Sequence, residues 1–166
     1  MILSHIVAIA SNHAIGRNNK LLWSLPDDMQ FFKHKTQGHC IISGRKNYES
    51  IPTKFRPLPN RTNIVVSRSM AYQANGAIVC ESIADAITQA KQHDETECFI
   101  IGGGEIYKQT MHLINKIYLT KINYTFEADT FYPPINWAEW KIVNQSEHSR
   151  DAKHAYDFIF YELVKI

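Results

Sequence analysis

The chain has no apolar run near the ~18 residues of a membrane-spanning helix, and it contains no repeat, low-complexity tract or linker. Those absences exclude a helical membrane protein, a repeat array and a string of tethered domains. Net charge is scarce: 18 Lys plus Arg stand against 16 Asp plus Glu, leaving +2. So small a charge gives no global pull toward nucleic acid or an anionic membrane, and neither is expected as a partner. Cysteine is limited to Cys40, Cys80 and Cys98, widely spaced and without a C-x-x-C pair. That spacing suits neither a disulfide framework nor zinc, so three buried, reduced thiols in a reducing cytoplasm are expected. The eight His residues form no H-x-x-x-H or H-E-x-x-H pair, and no metal site is expected. G-x-S-x-G is missing too, which removes the serine-hydrolase elbow.

What is present reads as one α/β domain over residues 1–166, long enough to bury roughly 70% of its unfolded surface. MILSHIVAIA reads as a buried strand, because it lacks the basic start of a signal peptide and His5 interrupts it. His5 is expected to face a polar neighbour. Short β-branched runs recur at Ile6–Ala10, Cys40–Ser43, Asn63–Ser67, Ala77–Val79, Cys98–Ile101 and Lys116–Ile122. Helical patterns lie between several of them. Pro26–Thr36 opens with proline and two acids, as a helix start prefers, and Ser82–His93 opens on Ser-x-x-Asp. Glu105–His112 follows three glycines. The alternation predicts a mainly parallel sheet flanked by about four helices. Trp140–His148 and Tyr156–Val164, separated by a short polar segment, predict a C-terminal antiparallel hairpin at one edge.

Three predicted strand ends carry ligand-binding residue types. Ile101-Gly102-Gly103-Gly104-Glu105-Ile106-Tyr107 runs from a strand through glycines into a helix. Backbone can approach a phosphate closely there, though a tight turn without ligand has the same glycines. The spacing is neither G-x-G-x-x-G nor a P-loop. Ser43-Gly44-Arg45-Lys46-Asn47 repeats the strand–glycine–helix pattern with two cations, which otherwise form a solvated pair. Ser67-Arg68 brings a hydroxyl and a guanidinium to a third end. Ligands of open parallel sheets bind beyond the carboxyl ends of the strands, so the three together suggest a polyphosphate ligand. The acid–base candidate is Asp28, sharing a helix face with Phe32 beside Trp23 and Met29. Burial raises its pKa and the helix start lowers it, so the sequence does not sign the net shift. The alternative is that Asp27 and Asp28 are both plain helix-start acids.

Taken in order, Ala14-Ile15-Gly16, Leu22-Trp23-x-Leu-Pro-x-Asp28, Gly44-Arg45-Lys46-x-Tyr48-Glu49-Ser50-Ile51, Pro57-Leu58-Pro59-x-Arg61, Ile101-Gly102-Gly103-Gly104 and Leu119-Thr120 span the chain. They resemble the dihydrofolate reductase family of the bacterial chromosomal type. The resemblance implies hydride transfer from NADPH to C6 of dihydrofolate with protonation of N5, giving tetrahydrofolate for one-carbon metabolism. It implies that Asp28 pairs with pterin N3 and the 2-amino group, with Thr120 as its hydroxyl partner. By the same resemblance Trp23 helps hold a water, Leu21 is the gating side chain of loop 11–22, and that loop admits the water protonating N5. Met29, Phe32, Ile51 and Leu58 match the apolar substrate pocket, and Arg61 matches the clamp for the glutamate α-carboxylate. The carbonyls of Ile6 and Ile101 match positions binding diaminopyrimidine-type antifolates, and Ala8 is placed with substrate and cofactor.

On the cofactor side Arg45, Ser67 and Arg68 are similar to residues around the adenosine 2′-phosphate. Lys46 and Gly102–Gly104 match the pyrophosphate site, and Gly44, Asn47, Ile15, Gly16, Ile101, Glu105, Ile106 and Tyr107 complete the implied cofactor set. The Gly102–Gly103 peptide is expected to be cis. The family's usual monomer is the implied state. Leu22 stands where many relatives have Pro, Asn47 where Thr is common, and Ala128 where some have Gly. Segment 52–56 is slightly longer than its counterparts. Two other readings compete: the related pyrimidine reductase of riboflavin synthesis, which shares the glycine motif, and a non-catalytic folate- or nucleotide-binding module. The first does not need Trp23, Asp28 and Arg61 together, and the second does not explain a desolvated acid beneath a gate.

Overall fold

A computed structural model describes residues 1–69 and 71–166. In chain order the first half comprises β1 (Ile2–Ala10), β2 (Ala14–Gly16), α1 (Pro26–Thr36), β3 (Cys40–Gly44), α2 (Arg45–Ser50), β4 (Thr62–Val66) and β5 (Ile78–Cys80). The second half comprises α3 (Ile83–Gln92), β6 (Glu97–Gly102), α4 (Gly104–Thr110), β7 (Lys116–Ile122), β8 (Thr130–Phe131), β9 (Trp140–His148) and β10 (Phe158–Lys165). Eight strands form one sheet in the order β5-β4-β3-β6-β1-β7-β10-β9, and β2 pairs with β8 in a small ribbon. Every pairing up to β7 in the large sheet is parallel, and β10 runs antiparallel to both its neighbours. This is the expected α/β architecture with its C-terminal hairpin and four helices.

Two apolar layers follow from the alternation of side chains along each strand. Leu3, Val7 and Ile9 of β1 join Ile42, Ile64 and Ile100, under Ala86 and Ala90 of α3 and Tyr107 of α4. Ile6, on the opposite face, joins Ile41, Phe99 and Tyr118 against Phe31 and Phe32 of α1. Ser82 caps α3 by accepting the Asp85 N–H at 3.0 Å, as its Ser-x-x-Asp opening predicts. All three cysteines are buried free thiols. No described helix is long and apolar enough to cross a membrane.

Several boundaries differ from expectation. β1, over Ile2–Ala10, covers the strand read from MILSHIVAIA and extends the β-branched run Ile6–Ala10 back to Ile2, pairing with β6 from Ile2↔Glu97 onward. α4 covers Gly104–Thr110 instead of Glu105–His112, since its chain turns where the Leu113 N–H bonds the Thr110 carbonyl. β10 starts at Phe158 instead of Tyr156, because Tyr156 packs with Phe126 in a loop cluster. The β2–β8 ribbon has no counterpart among the predicted strands, since strands of three and two residues carry no readable periodicity.

His5 does face polar neighbours, within a buried pocket. Thr110 Oγ1 donates to the Ile106 carbonyl at 2.7 Å, so it is left to accept from His5 Nε2, also at 2.7 Å. The Tyr132 hydroxyl then donates to Nδ1 at 2.7 Å. Burial pushes this imidazole down from 6.5 to about 3. The unfolded chain therefore takes up a proton below about pH 6.5 that the folded chain resists until about pH 3. Stability from neutral His5 is present above that window and lost as pH falls through it. In urea denaturation at pH 7, 6 and 5, the parent should lose up to ~1.4 kcal/mol per pH unit relative to His5→Leu below pH ~6.5. Parallel pH curves for the two proteins would contradict this.

Candidate active site

Helix α1 starts as its sequence dictates, with Pro26 at the first position and Asp27 and Asp28 in the first turn. Asp28 Oδ1 accepts the Thr120 hydroxyl at 2.6 Å. Thr120 is buried on β7, directly beside Ala8 of β1. Burial raises the Asp28 carboxyl above its ordinary 3.8; the Thr120 hydrogen bond pulls it back, and burial prevails. That signs the shift the sequence left open. Burial and the nearby Asp28 charge push the Tyr107 phenol up, so it stays a donor, giving its proton to the Ile6 carbonyl at 2.8 Å.

Phe32, which shares a helix face with Asp28, packs with Leu58, Ile101 and Ile6 in one apolar cluster. Ile51 is half-buried at the end of α2, whereas Met29 is 55% exposed at the mouth. Ala8 and Trp23 belong to a neighbouring cluster around Leu25, and Trp23 stacks at a tilt on Phe126, 5.4 Å away. Arg61 is half-buried, and desolvation lowers its pKa. Its Nε donates to the Pro59 carbonyl at 2.9 Å and Nη1 to Thr36 Oγ1 at 3.2 Å, leaving the rest of the fork available.

A cavity of about 1030 Å³ runs along the ends of β3, β4 and β6. Arg45, Lys46 and Asn47 of α2 stand on one side of it, with Ser67 and Arg68 at the end of β4. Gly44, Gly103, Gly104, Glu105 and Ile106 form another side, and Ile15, Gly16 and the 66%-exposed Leu21 close over it. Arg45 is held ready: its Nε bonds Glu49 at 2.9 Å and its guanidinium lies 4.2 Å over the Tyr72 ring. Ile101, Gly102, Tyr107 and Ala8 are not among its lining residues; Ile101 packs with Ile6, and Tyr107 reaches the Ile6 carbonyl from the opposite apolar layer.

The glycine triplet divides between the two readings left open. A Cβ on Gly104 would come 2.8 Å from Thr130 Cγ2, and one on Gly102, at φ +115°, 3.0 Å from Tyr107. Those two glycines are required by the chain's own packing. A Cβ on Gly103 would meet nothing within 4 Å, so its missing side chain keeps the cavity floor bare. The Gly102–Gly103 peptide is cis, as expected, and Arg56–Pro57 is cis as well.

Comparison with known proteins decides the family. The family model described as dihydrofolate reductase matches residues 2–165. The chain belongs to the dihydrofolate reductase family. It is 40% identical to the dihydrofolate reductase of Bacillus subtilis (strain 168), over 96% of this chain and 94% of that protein. It is likewise 40% identical to that of Haemophilus influenzae, covering 99% of each. A solved dihydrofolate reductase from Enterococcus faecalis, complexed with NADP(H) and RAB-propyl, superposes with a TM-score of 0.90 at 35% identity. That match covers 99% of this chain and 96% of the other. Membership sets aside the pyrimidine-reductase and non-catalytic readings.

For a reductase of this family the donor set of the large cavity fits NADPH. Four cations (Lys20, Arg45, Lys46 and Arg68) and several hydroxyls, Ser67 among them, converge there, α2 and α4 both start without a side-chain cap, and Gly103 leaves the floor open. Sequence reasoning missed other residues of the reductase cleft. Glu81 and Ser82 line the cavity from the end of β5, legible only once β5 is known to be a parallel strand. Asn63 is buried, and its amide bonds Leu58 N–H, Leu58 carbonyl and Arg61 carbonyl at 2.9, 2.9 and 3.1 Å. It thereby fixes the loop presenting Leu58 and Arg61. Asn47, replacing the common Thr, gives its amide to the Ile101 carbonyl at 3.3 Å.

Proposed function

We propose that this cleft reduces 7,8-dihydrofolate to 5,6,7,8-tetrahydrofolate, with Asp28 as the pterin's partner and NADPH along the β3–β4–β6 ends. The observation that carries the assignment is the recessed Asp28–Thr120 pair at 2.6 Å, facing an apolar wall. An ionised carboxylate accepts two parallel N–H bonds, matching pterin N3–H and its 2-amino group. Thr120 donates to Oδ1 and so fixes the carboxylate plane. Ile6, Phe32, Ile51 and Leu58 enclose the pterin and aminobenzoyl rings, with Met29 at the rim, and Arg61 takes the α-carboxylate. Bound NADPH supplies the hydride accepted at C6. Arg45, Ser67 and Arg68 hold its 2′-phosphate, while Lys46, Asn47, Gly103 and Gly104 hold the pyrophosphate. The other acid of the motif set, Glu49, is engaged with Arg45 on the cofactor side, so the N5 proton arrives on a water admitted past Leu21 and Trp23. The carbonyls of Ile6 and Ile101 are the places for the amino group of a diaminopyrimidine antifolate.

Three buried free thiols support a reducing, cytoplasmic setting, and a cleft built wholly within one chain supports a monomer. Purified chain with dihydrofolate should consume one NADPH per substrate, followed by the near-ultraviolet loss of NADPH. Arg68 is exposed, so its phosphate contact is valued at the low end of charged hydrogen bonds. Arg68→Gln should narrow the preference for NADPH over NADH about tenfold. A parent enzyme using both dinucleotides equally would overturn the 2′-phosphate assignment.

A further inference from the structure

The segment between β9 and β10 folds back over the start of α1 and delivers one side chain to it. His154 is 2% exposed, and its two ring nitrogens have separate partners. Nε2 lies 3.1 Å from the Asp27 backbone nitrogen, and Nδ1 lies 2.9 Å from Asp151 Oδ1. A backbone amide only donates, so Nε2 presents its lone pair and the ring proton sits on Nδ1, aimed at the carboxylate. Asp151 is itself fixed, since Oδ1 also accepts the N–H groups of Lys153 and His154 at 2.9 Å. The Asp27 carboxylate stands farther off, 3.8 Å from Nε2.

Helix α1 needs an acceptor from outside. Its N-cap residue, Leu25, has no side chain able to accept, and Pro26 has no N–H. The Met29 N–H bonds the Leu25 carbonyl at 3.1 Å, which leaves Asp27 and Asp28 as the open amides of the first turn. The imidazole takes the first of these, one residue before the carboxylate that bonds Thr120. The His154 ring also packs 5.2 Å from Phe158, whose strand position pairs with Ile122 on β7, two residues past Thr120. Both halves of the Asp28–Thr120 pair are thus referenced to one histidine-bearing segment.

We propose that His154 is a positioning residue for the substrate carboxylate: oriented by Asp151, its neutral imidazole caps the Asp27 amide and sets where Asp28 stands. This rests on the reading of Asp28 as the pterin partner. His154 lies outside the cofactor cavity, so its influence is confined to the folate side. Small displacements of a reacting geometry are costly, which makes the effect larger on turnover than on folding.

The test compares His154→Phe, which keeps a ring against Phe158 but deletes the acceptor, with His154→Gln, which restores an amide oxygen near Nε2. Kd for folate and for NADPH, each measured by protein fluorescence, is read beside kcat/KM and the unfolding midpoint, with Asp28→Asn as reference. The expected result for His154→Phe is about a tenfold loss in folate affinity and in kcat/KM for dihydrofolate. NADPH affinity should stay within twofold, and His154→Gln should recover most of the loss. Equal losses for folate and NADPH, or folate affinity within twofold of the parent, would overturn the proposal. If instead Asp28→Asn binds folate as the parent does, the Asp28 reading fails first and takes this proposal with it. Nitrogen-15 NMR of the histidine rings applies even where a variant does not fold. A parent His154 carrying its proton on Nε2 at neutral pH would overturn the proposal, and an Nδ1–H ring would support it.

Discussion

Replacing Asp28 with Asn should lower kcat/KM for dihydrofolate by at least about 10² to 10³ and, at neutral pH, make the protein more stable. The rate loss follows from geometry. Asn turns one of two acceptor oxygens into a donor, which then faces a pterin N–H, and it removes the charge that made both bonds strong. Loss of one preorganised electrostatic contact in a dry site is worth about that range in rate. The gain in stability has the opposite origin. Burial raises the Asp28 carboxyl above 3.8, so the folded chain holds its proton more firmly than the unfolded chain does. Its favourable contribution is complete below the ordinary carboxylate value and disappears as pH rises through the raised value. Above that value the ionised, buried group works against folding. The Asn variant carries no such charge, so its Tm advantage should be absent near pH 3, grow with rising pH and then level off. An advantage that grew toward acid would contradict the burial argument.

Arg61→Lys should raise KM for dihydrofolate about 10- to 100-fold, leaving kcat within about threefold and NADPH binding unchanged. A charged hydrogen bond contributes about 1.5–3 kcal/mol, and a lysine ammonium replaces a planar fork by a point charge. In addition, the bonds from Arg61 to Pro59 and Thr36 hold the fork at a fixed angle, and lysine cannot reproduce both. A substrate lacking the glutamate moiety separates this from general damage, because parent and variant should then have equal KM.

Asp28 was legible because proline, acids and aromatics at helical spacing together define a helix start and its buried face. The hairpin and the Ser82 cap were legible for the same local reason. The phosphate side was half legible: glycines at strand ends mark a candidate, but only distances separate their causes. Gly104 answers to Thr130 and Gly102 to Tyr107, while Gly103 alone is free of such neighbours. Asn63 and His154 escaped the sequence reading altogether. Asn63 acts on a loop beside a strand in which it looked like one more residue, and His154 bonds an amide 127 positions away in sequence. Polar contacts that close over such separations leave no spacing to read. The tiny β2–β8 ribbon, preceded by the Asp129 N–H bond to the Gly16 carbonyl at 3.1 Å, also closes over a long sequence separation.

If Asp28 is the group that meets the pterin, its carboxyl must be desolvated in the free protein and must respond to folate. Carbon-13 labelling of the aspartate carboxyls, with Asp28→Asn assigning the signal, measures this directly. In the free protein the Asp28 signal should titrate clearly above 3.8, and folate binding should move it and hold it ionised across that range. A signal that titrates at the ordinary carboxylate value and does not respond to folate would contradict the central claim.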